Sequence, residues 1–541
     1  MSFYDEKLKI WSSDQFPPIY NPKASVGQLL LHSLKRNSSK IAEISDTYST
    51  KYTFNDILTR SIQAANHLKA CGVKKGDICS VISRNNPDLA PVMFGCFFLG
   101  ATINTLDVSF DQKDLDHMLG LTEPKFIFAE EDVLVKVKVA LERLELSSRI
   151  FCFSNLENIE SIQNFFKNPI SQEEIDDFVP TQISDTENHI GIIICSSGTT
   201  GLSKGVCLSE AVLVAQLLRA FPSISNDTIL AFSSVYWITG MVTLLQGTID
   251  GAVRINTCEP FTPEYFFKLV QKYEITRTFL TPAQIVSCLE HKDMSKANLS
   301  TLKMCMTGGS LILEDIRSRF ESFLPKNAKV VTLYGMSELG ACLTWNFKKI
   351  KPNSVGVLIN QHSAKIIDEE GNSLSPNEKG EICIKCPYKF LGYFNNPEET
   401  KGLTDSQGWM HSGDLGYFDN DGYLFISGRK KEVIKYKNYQ IAPGYIESVV
   451  QEKTGLAQIC AVAVEDLKNG TDLPSVVIVR PSNFELSEKQ IIEILNENLT
   501  EMKTLRGGIY FVDSLPMTPS GKVQRRIVKE IANNLYKMNK K

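Results

Sequence analysis

Residues Ile192 to Val206 read "IIICSSGTTGLSKGV": an apolar run that breaks into glycines and hydroxyl side chains and ends beside a lysine. Apolar β-branched residues in unbroken series predict a strand buried on both faces, which belongs to α/β proteins with helices on each side of a sheet. The loop after it carries the ingredients of an anion cradle. Gly198 and Gly201 let backbone approach closely, Ser196, Ser197, Thr199 and Thr200 supply hydroxyl donors, and Lys204 supplies charge. The commonest phosphate loop, G-x-x-x-x-G-K-[ST], does not fit, because from Gly198 the spacing is G-x-x-G-x-x-K. A kinase or GTPase of that type is therefore disfavoured. On this loop alone, a phosphate site and a glycine-rich surface turn remain open.

Outward from this stretch the α/β rhythm recurs. "ICSVISR" near 80, "FIFAEE" near 128 and "KVVTLYG" from Lys329 are short β-rich runs. Between such runs lie amphipathic stretches such as "PEYFFKLVQKYE" from Pro263 to Glu274, with Tyr265, Phe266, Leu269 and Val270 at helical spacing. From about Ile350 the texture becomes turn-rich β, punctuated by "DEEGN", "NEKGE" and "DNDGY". After "SGRKKEVIK" a compact α+β segment runs to the end, so the chain divides at Gly428 to Lys431 into residues 1–428 and 429–541. A chain of 541 residues is too long for one compact core and predicts at least two domains.

Composition narrows the class. Apolar content of 43% and charged content of 22% are those of a soluble globular protein. A formal charge of -4 speaks against nucleic-acid binding, which needs a basic excess to neutralise phosphates. The most apolar segment, "LAPVMFGCFFLGATI" from Leu89 to Ile103, is shorter than the roughly 18 residues of a membrane span and predicts a buried helix. The N-terminus has no apolar stretch suited to a secretory signal. The 13 cysteines are scattered without regular spacing and read as reduced thiols. Cys383 and Cys386 form a lone C-x-x-C on a predicted strand, which points their sulfurs to opposite faces and makes them core residues, not metal ligands.

Four further stretches follow the opening one in order: "TLYGMSE" (Thr332 to Glu338), "GWMHSGDLGYFDNDGY" (Gly408 to Tyr423), "GRKKEVIKYKNYQIAP" (Gly428 to Pro443) and "PMTPSGKVQRR" (Pro516 to Arg526). As an ordered set they resemble the core motifs of the adenylate-forming superfamily, which includes acyl-CoA synthetases, coumarate-CoA ligases, beetle luciferases and nonribosomal adenylation domains. "IKYKNYQIAP" and "LRGGIYFVDSLPMTPSGK" are most similar to the coumarate-CoA ligase and luciferase branch. The resemblance implies a large N-terminal domain of α/β-layered subdomains with a small β-barrel, followed by a smaller, mobile α+β domain. It also implies a two-step reaction in which a carboxylate attacks the α-phosphate of ATP to give an acyl-adenylate, and the thiol of coenzyme A then displaces AMP.

Carried over position by position, the resemblance makes Lys522 the lysine that bridges carboxylate and α-phosphate, and gives the loop Ser196–Lys204 to the β- and γ-phosphates. Asp414 and Arg429 would approach the ribose and nucleotide, the alternative being a simple ion pair between them or a turn cap at Asp414. Tyr334 would flank adenine with Thr332 and Ser337 nearby, and Glu338 would hold Mg²⁺, a hard ion that prefers carboxylate oxygen. Lys431 matches the hinge about which the small domain turns, and Lys435 and Lys437 lie on the loop presented to coenzyme A. Asn438 stands where the branch usually has glycine; asparagine is the least costly substitute at a positive φ.

Residues "VYWITGM" (Val235 to Met241) align with the stretch that luciferases fill with His-His-Gly-Phe-Gly-Met, so Tyr236 and Trp237 replace both histidines. Trp237, Thr239, Gly309 and Met336 are the expected acyl-pocket lining, and a pocket without a basic anchor favours a hydrophobic acid. Trp237 reads equally well as a packing residue. The expected activity is an acid–CoA ligase using a fatty or aryl-propenoic acid. The alternatives are a luciferase-like monooxygenase and a catalytically silent homologue. The chain ends "KMNKK" and lacks an S-K-L address, making cytoplasmic residence the default expectation.

Overall fold

The opening run forms the strand Ile190–Ser196, buried from Gly191 to Cys195, in the computed structural model. It pairs in parallel with Thr102–Leu106 and antiparallel with Lys204–Ser209, with Ser196 opposite Lys204. Among the described residues, the element that follows in sequence is therefore an antiparallel strand and not a helix N-terminus with its dipole. The structure describes all residues except 1, 14–20, 22, 197–202, 220–225, 347–349, 437–438, 467–470, 481–484, 500–503, 519–521 and 540–541, and gives no side chains at 218–219, 435, 439–440 and 488. Ser197, Gly198, Thr199, Thr200, Lys437 and Asn438 lie outside the described residues.

Two large sheets with helices on both faces make up most of the molecule. One has seven strands and, from Lys204–Ser209 inward, runs through Ile190–Ser196, Thr102–Leu106, Ile78–Ile82, Phe126–Ala129, Arg149–Cys152 and Glu160–Ser161. The other has nine, with a parallel centre of Lys329–Tyr334, Met304–Gly308, Arg277–Phe279, Thr228–Ala231, Val253–Asn256 and Ile41–Ser45. The helix Phe54–Ala70 packs on Leu89–Leu99, and both belong to the core on one face of the seven-stranded sheet. Pro263–Tyr273 is one of the helices covering the nine-stranded sheet. Thr262 caps it through its side chain, Pro263 occupies its first turn, and Phe266, Leu269 and Val270 face the core. That helix forms where the spacing predicts it.

The apolar segment from Leu89 is helical only to Leu99, which corrects the expectation of a helix reaching Ile103. Gly100 takes a φ of 67° as the C-terminal cap, and the chain turns directly into the buried strand Thr102–Leu106. Every residue of the helix is buried, so its apolar character serves the core. None of the described helices is long and apolar enough to cross a membrane.

The turn-rich region builds a third, antiparallel sheet of six strands: Ser2–Asp5, Ile10–Ser13, Ser363–Ile367, Gly380–Lys385, Met410–Phe418 and Leu424–Arg429. Its first two strands come from the extreme N-terminus, which the sequence reading left without structure. Trp11 stacks on Phe418 at 5.3 Å, binding the start of the chain to a strand some 400 residues later. Cys383 is buried in this sheet and Cys386 lies just beyond the strand end; both are unpaired, and burial pushes each thiol up to about 12.

The chain leaves this sheet at Arg429, passes through the short turn Lys430–Glu432, and enters a separate apolar cluster at Ile434. That cluster draws its buried residues from 434–532 alone. It holds a three-stranded sheet (Ile459–Asp466, Thr471–Val479, Gly508–Val512) and the helices Pro443–Thr454, Glu488–Asn498 and Arg525–Asn539.

Candidate active site

A cleft of about 2620 Å³ opens at the carboxyl ends of the parallel strands Met304–Gly308 and Lys329–Tyr334, between the nine-stranded sheet, the six-stranded sheet and the C-terminal unit. Strand ends are where open α/β sheets place ligands, because side chains there are free of the next helix. Of the anticipated residues, Ser196, Lys204, Trp237, Thr239, Gly309, Thr332, Tyr334, Met336, Ser337, Glu338, Asp414, Arg429, Lys431 and Lys522 all line this one cleft. Lys435 is described only as part of the strand Ile434–Tyr436.

Asp414 is 7% exposed and both of its carboxylate oxygens are engaged. One accepts from the Tyr334 hydroxyl at 2.7 Å, and the other lies 3.1 Å from Arg429 Nε. The pairing follows from register, since Asp414 and Arg429 face each other across adjacent strands. The ion pair is therefore present, while the local contact at this point is made by Ser412, whose Oγ accepts from the Asp414 backbone N–H at 3.1 Å. Burial and then the Asp414 carboxylate push the Tyr334 phenol well above its usual value, keeping it a donor. Burial acts to lower the Arg429 guanidinium, but Asp414 and Glu432 outweigh it and hold the charge.

A second group of polar contacts involves a segment the sequence reading did not single out. Glu338 accepts a hydrogen bond from Tyr393 at 2.8 Å, and Lys204 Nζ sits 4.7 Å from the centre of the Tyr393 ring while pairing with Glu399 at 2.7 Å. Tyr393 and Glu399 come from "GYFNNPEE", whose only local signal is a helix start, with Asn396 as the N-cap and Pro397 in the first turn of Pro397–Lys401. Tyr393 reaches the cleft through a backbone bridge to Val206, beside the opening hairpin.

Lys522 enters from the C-terminal unit. Thr518 and Lys522 are joined by two reciprocal bonds: Thr518 N–H donates to the Lys522 carbonyl at 2.7 Å, and Lys522 N–H donates to Thr518 Oγ1 at 3.1 Å. Arg525 anchors the loop's far end, lying 3.0 Å from Glu432 and 2.6 Å from Glu447 and donating to the Ala461 carbonyl at 2.6 Å. The Lys522 stem rests on Gly309, where an added Cβ would come within 3.1 Å of Cε and 3.6 Å of Nζ. Gly309 also has a φ of 84°, so a side chain is disfavoured there twice over. The Lys522 side chain is exposed to the cleft, yet protein walls surround it. Confinement, then repulsion from Arg429, lowers its pKa, and attraction from Asp414 offsets this only in part.

Trp237 is both a wall and a packing residue. It precedes the helix Ile238–Asp250, meets Tyr236 edge-on at 4.7 Å, packs against an apolar cluster and lines the cleft. Thr332 is 7% exposed on its strand, while Met336 and Ser337 form the turn that presents Glu338.

Comparison with known proteins gives the following. Residues 30–394 match the model of the AMP-binding enzyme family, and residues 445–522 match that of the AMP-binding enzyme C-terminal domain. The chain is 27% identical over 543 residues to the probable 4-coumarate–CoA ligase 1 of Dictyostelium discoideum, covering 97% of this chain and 98% of the relative. It is 28% identical over 542 residues to the luciferin 4-monooxygenase of Luciola mingrelica, covering 95% and 96%. In fold it is similar to the crystal structure of the anthranilate CoA ligase AuaEII in complex with anthranoyl-AMP, with a TM-score of 0.85, 20% identity and coverage of 95% and 98%.

Proposed function

The chain belongs to the AMP-binding enzyme family, and on that premise we propose that it is an ATP-dependent acid–CoA ligase that activates a hydrophobic carboxylic acid, fatty or aryl-propenoic. The observation that carries this reading is the meeting of Lys522, Asp414, Arg429, Tyr334, Lys204 and Glu338 in one cleft, although they are spread over more than 300 residues of chain.

Negative charge is the obstacle in this chemistry, because an incoming carboxylate approaches a phosphorus already ringed by anionic oxygens. Fixed cations and donors therefore supply most of the catalysis, and positioning supplies the rest. Lys522 bridges the carboxylate and the α-phosphate with its ammonium charge. Asp414 and Tyr334 hold the ribose and adenine side, with Thr332 and Ser337 as polar neighbours, and Arg429 directs its remaining donors into the cleft. Lys204 and Ser196 bracket the loop that receives the β- and γ-phosphates. Glu338 fits a magnesium ion: it offers a hard carboxylate oxygen and is already oriented through its other oxygen by Tyr393. When bound, that ion neutralises phosphate charge and favours pyrophosphate departure.

The second step uses coenzyme A. Residues 429–541 turn as a unit about Lys431 relative to 1–428, withdrawing Lys522 and presenting Lys435, Lys437 and Asn438. The purified chain should release pyrophosphate from ATP with at least one acid in a screen of fatty and aromatic acids, and should form the thioester when coenzyme A is added. Pyrophosphate release from no acid would sink the proposal; release without thioester would confine it to the first step.

A further inference from the structure

One face of the helix Ile238–Asp250 carries a polar group that the reaction above does not use. Thr239, Val242, Thr243 and Gln246 recur at the spacing that places them on one side of a helix, and all four line the cleft. Thr243 spends its hydroxyl proton on the Thr239 carbonyl at 2.7 Å, one turn back. Gln246 has no such outlet. It is 5% exposed, and among the described residues nothing hydrogen bonds to its amide. Its neighbours in the helix, Leu244 and Leu245, are buried in the apolar core, so a leucine or methionine would suit position 246 better unless the amide meets something inside the cleft.

Position gives the group a distance. The helix starts after the carboxyl end of Thr228–Ala231 and leads into Val253–Asn256, which is parallel to that strand, so it descends from the strand ends toward the opposite edge of the sheet. Gln246 lies seven residues beyond Thr239, roughly 10 Å further from the plane where Gly309 meets Lys522. An extended acyl group held with its carboxyl at Lys522 would reach this depth with its distal part. Glu290 lines the same cleft and disfavours a second carboxylate there.

We infer that Gln246 is a specificity-determining residue, and that the acid this chain activates carries a neutral hydrogen-bonding substituent, a hydroxyl or oxo group, on the part of the acyl chain remote from the carboxylate. An amide offers both donor and acceptor and so serves either group. This rests on the acid-activating reading, and the test separates the two. Pyrophosphate release is measured for two matched pairs: octanoate against 8-hydroxyoctanoate, and cinnamate against its para-hydroxy analogue. In the native chain, kcat/KM should favour the hydroxylated member of at least one pair by about tenfold. Gln246→Leu and the near-isosteric Gln246→Met should cancel that preference, chiefly by raising activity on the plain acid, while melting at or above the native temperature. Equal ratios in the native chain and both variants would overturn the inference and leave acid activation standing. Absence of turnover with every acid would overturn both.

Discussion

Along the polar wall of the cleft several charged groups already have neighbours: Asp414 holds Tyr334 and Arg429, Lys204 holds Glu399, and Glu338 holds Tyr393. Two turns down the helix Ile238–Asp250, the side-chain amide of the nearly buried Gln246 opens onto the cleft and has no hydrogen-bond partner among the described residues. The polar wall needs fixed charge for any acid, so its side chains are held in place by the protein itself, and little reorganisation remains for the reaction. Selectivity between acids requires a group whose hydrogen bonds are completed only by the right ligand, because a wrong one then leaves it buried and unpaired. Common chemistry is preassembled, whereas choice is left unfinished.

The largest expected effect probes Lys522, which the C-terminal unit contributes to the polar wall. Lys522→Ala should cut pyrophosphate release about a thousandfold while leaving transfer from a preformed acyl-adenylate to coenzyme A within about threefold of native. Lys435→Ala should show the reverse pattern. Equal loss of both steps in either variant would break the account in which one unit serves two arrangements. The same lysine gives a pH signature. Its folded pKa is lowered, so its charge is present at low pH and is lost as pH rises through a value below lysine's ordinary range. Adenylation should therefore decline on the alkaline side earlier than an unperturbed lysine would allow. Lys522→Arg should remove that decline even though it is slower overall.

A smaller effect tests whether the partners hold the wall in order. Asp414→Asn removes the charge that fixes Arg429 and accepts from Tyr334, and should raise the KM for ATP about thirtyfold. Tyr334→Phe removes a single donor and should raise it about threefold. If the two variants behaved alike, Asp414 would matter only through its tyrosine. Smallest of all, Glu399→Gln should release Lys204 from its ion pair and lower the KM for ATP a few-fold, since the carboxylate that holds this lysine also competes with phosphate for it. A higher KM would mean that Glu399 aims Lys204 more than it restrains it.

Much of the scaffold could be read from local pattern. The runs at 78, 126, 190 and 329 are strands because β-branched and aromatic residues crowd them, and Pro263–Tyr273 is a helix because its apolar residues repeat at helical spacing after a threonine and a proline. Apolar pattern does not mark the boundary at Leu99, because apolar character continues across it while the backbone changes hand at Gly100. The strands at Ser2–Asp5 and Ile10–Ser13 escaped notice for a different reason: they are short, one is largely exposed, and their partner strand Ser363–Ile367 lies far along the chain. Tyr393 and Glu399 were invisible in the same way. Nothing near them in sequence marks chemistry, and long-range contacts such as the bridge from Tyr393 to Val206 bring them to Lys204 and Glu338.

The ordered motifs and the alternation of strand and helix determined by themselves that this is an α/β protein with a small final unit and the residue types of a nucleotide-activating site, because those features are local in the chain. Which side chains restrain those residues, and that Gln246 lines the cleft without a hydrogen-bond partner among the described residues, depended on tertiary structure. Hydrogen bonds and burial are properties of neighbours in space, and here the neighbours come from segments up to several hundred residues apart.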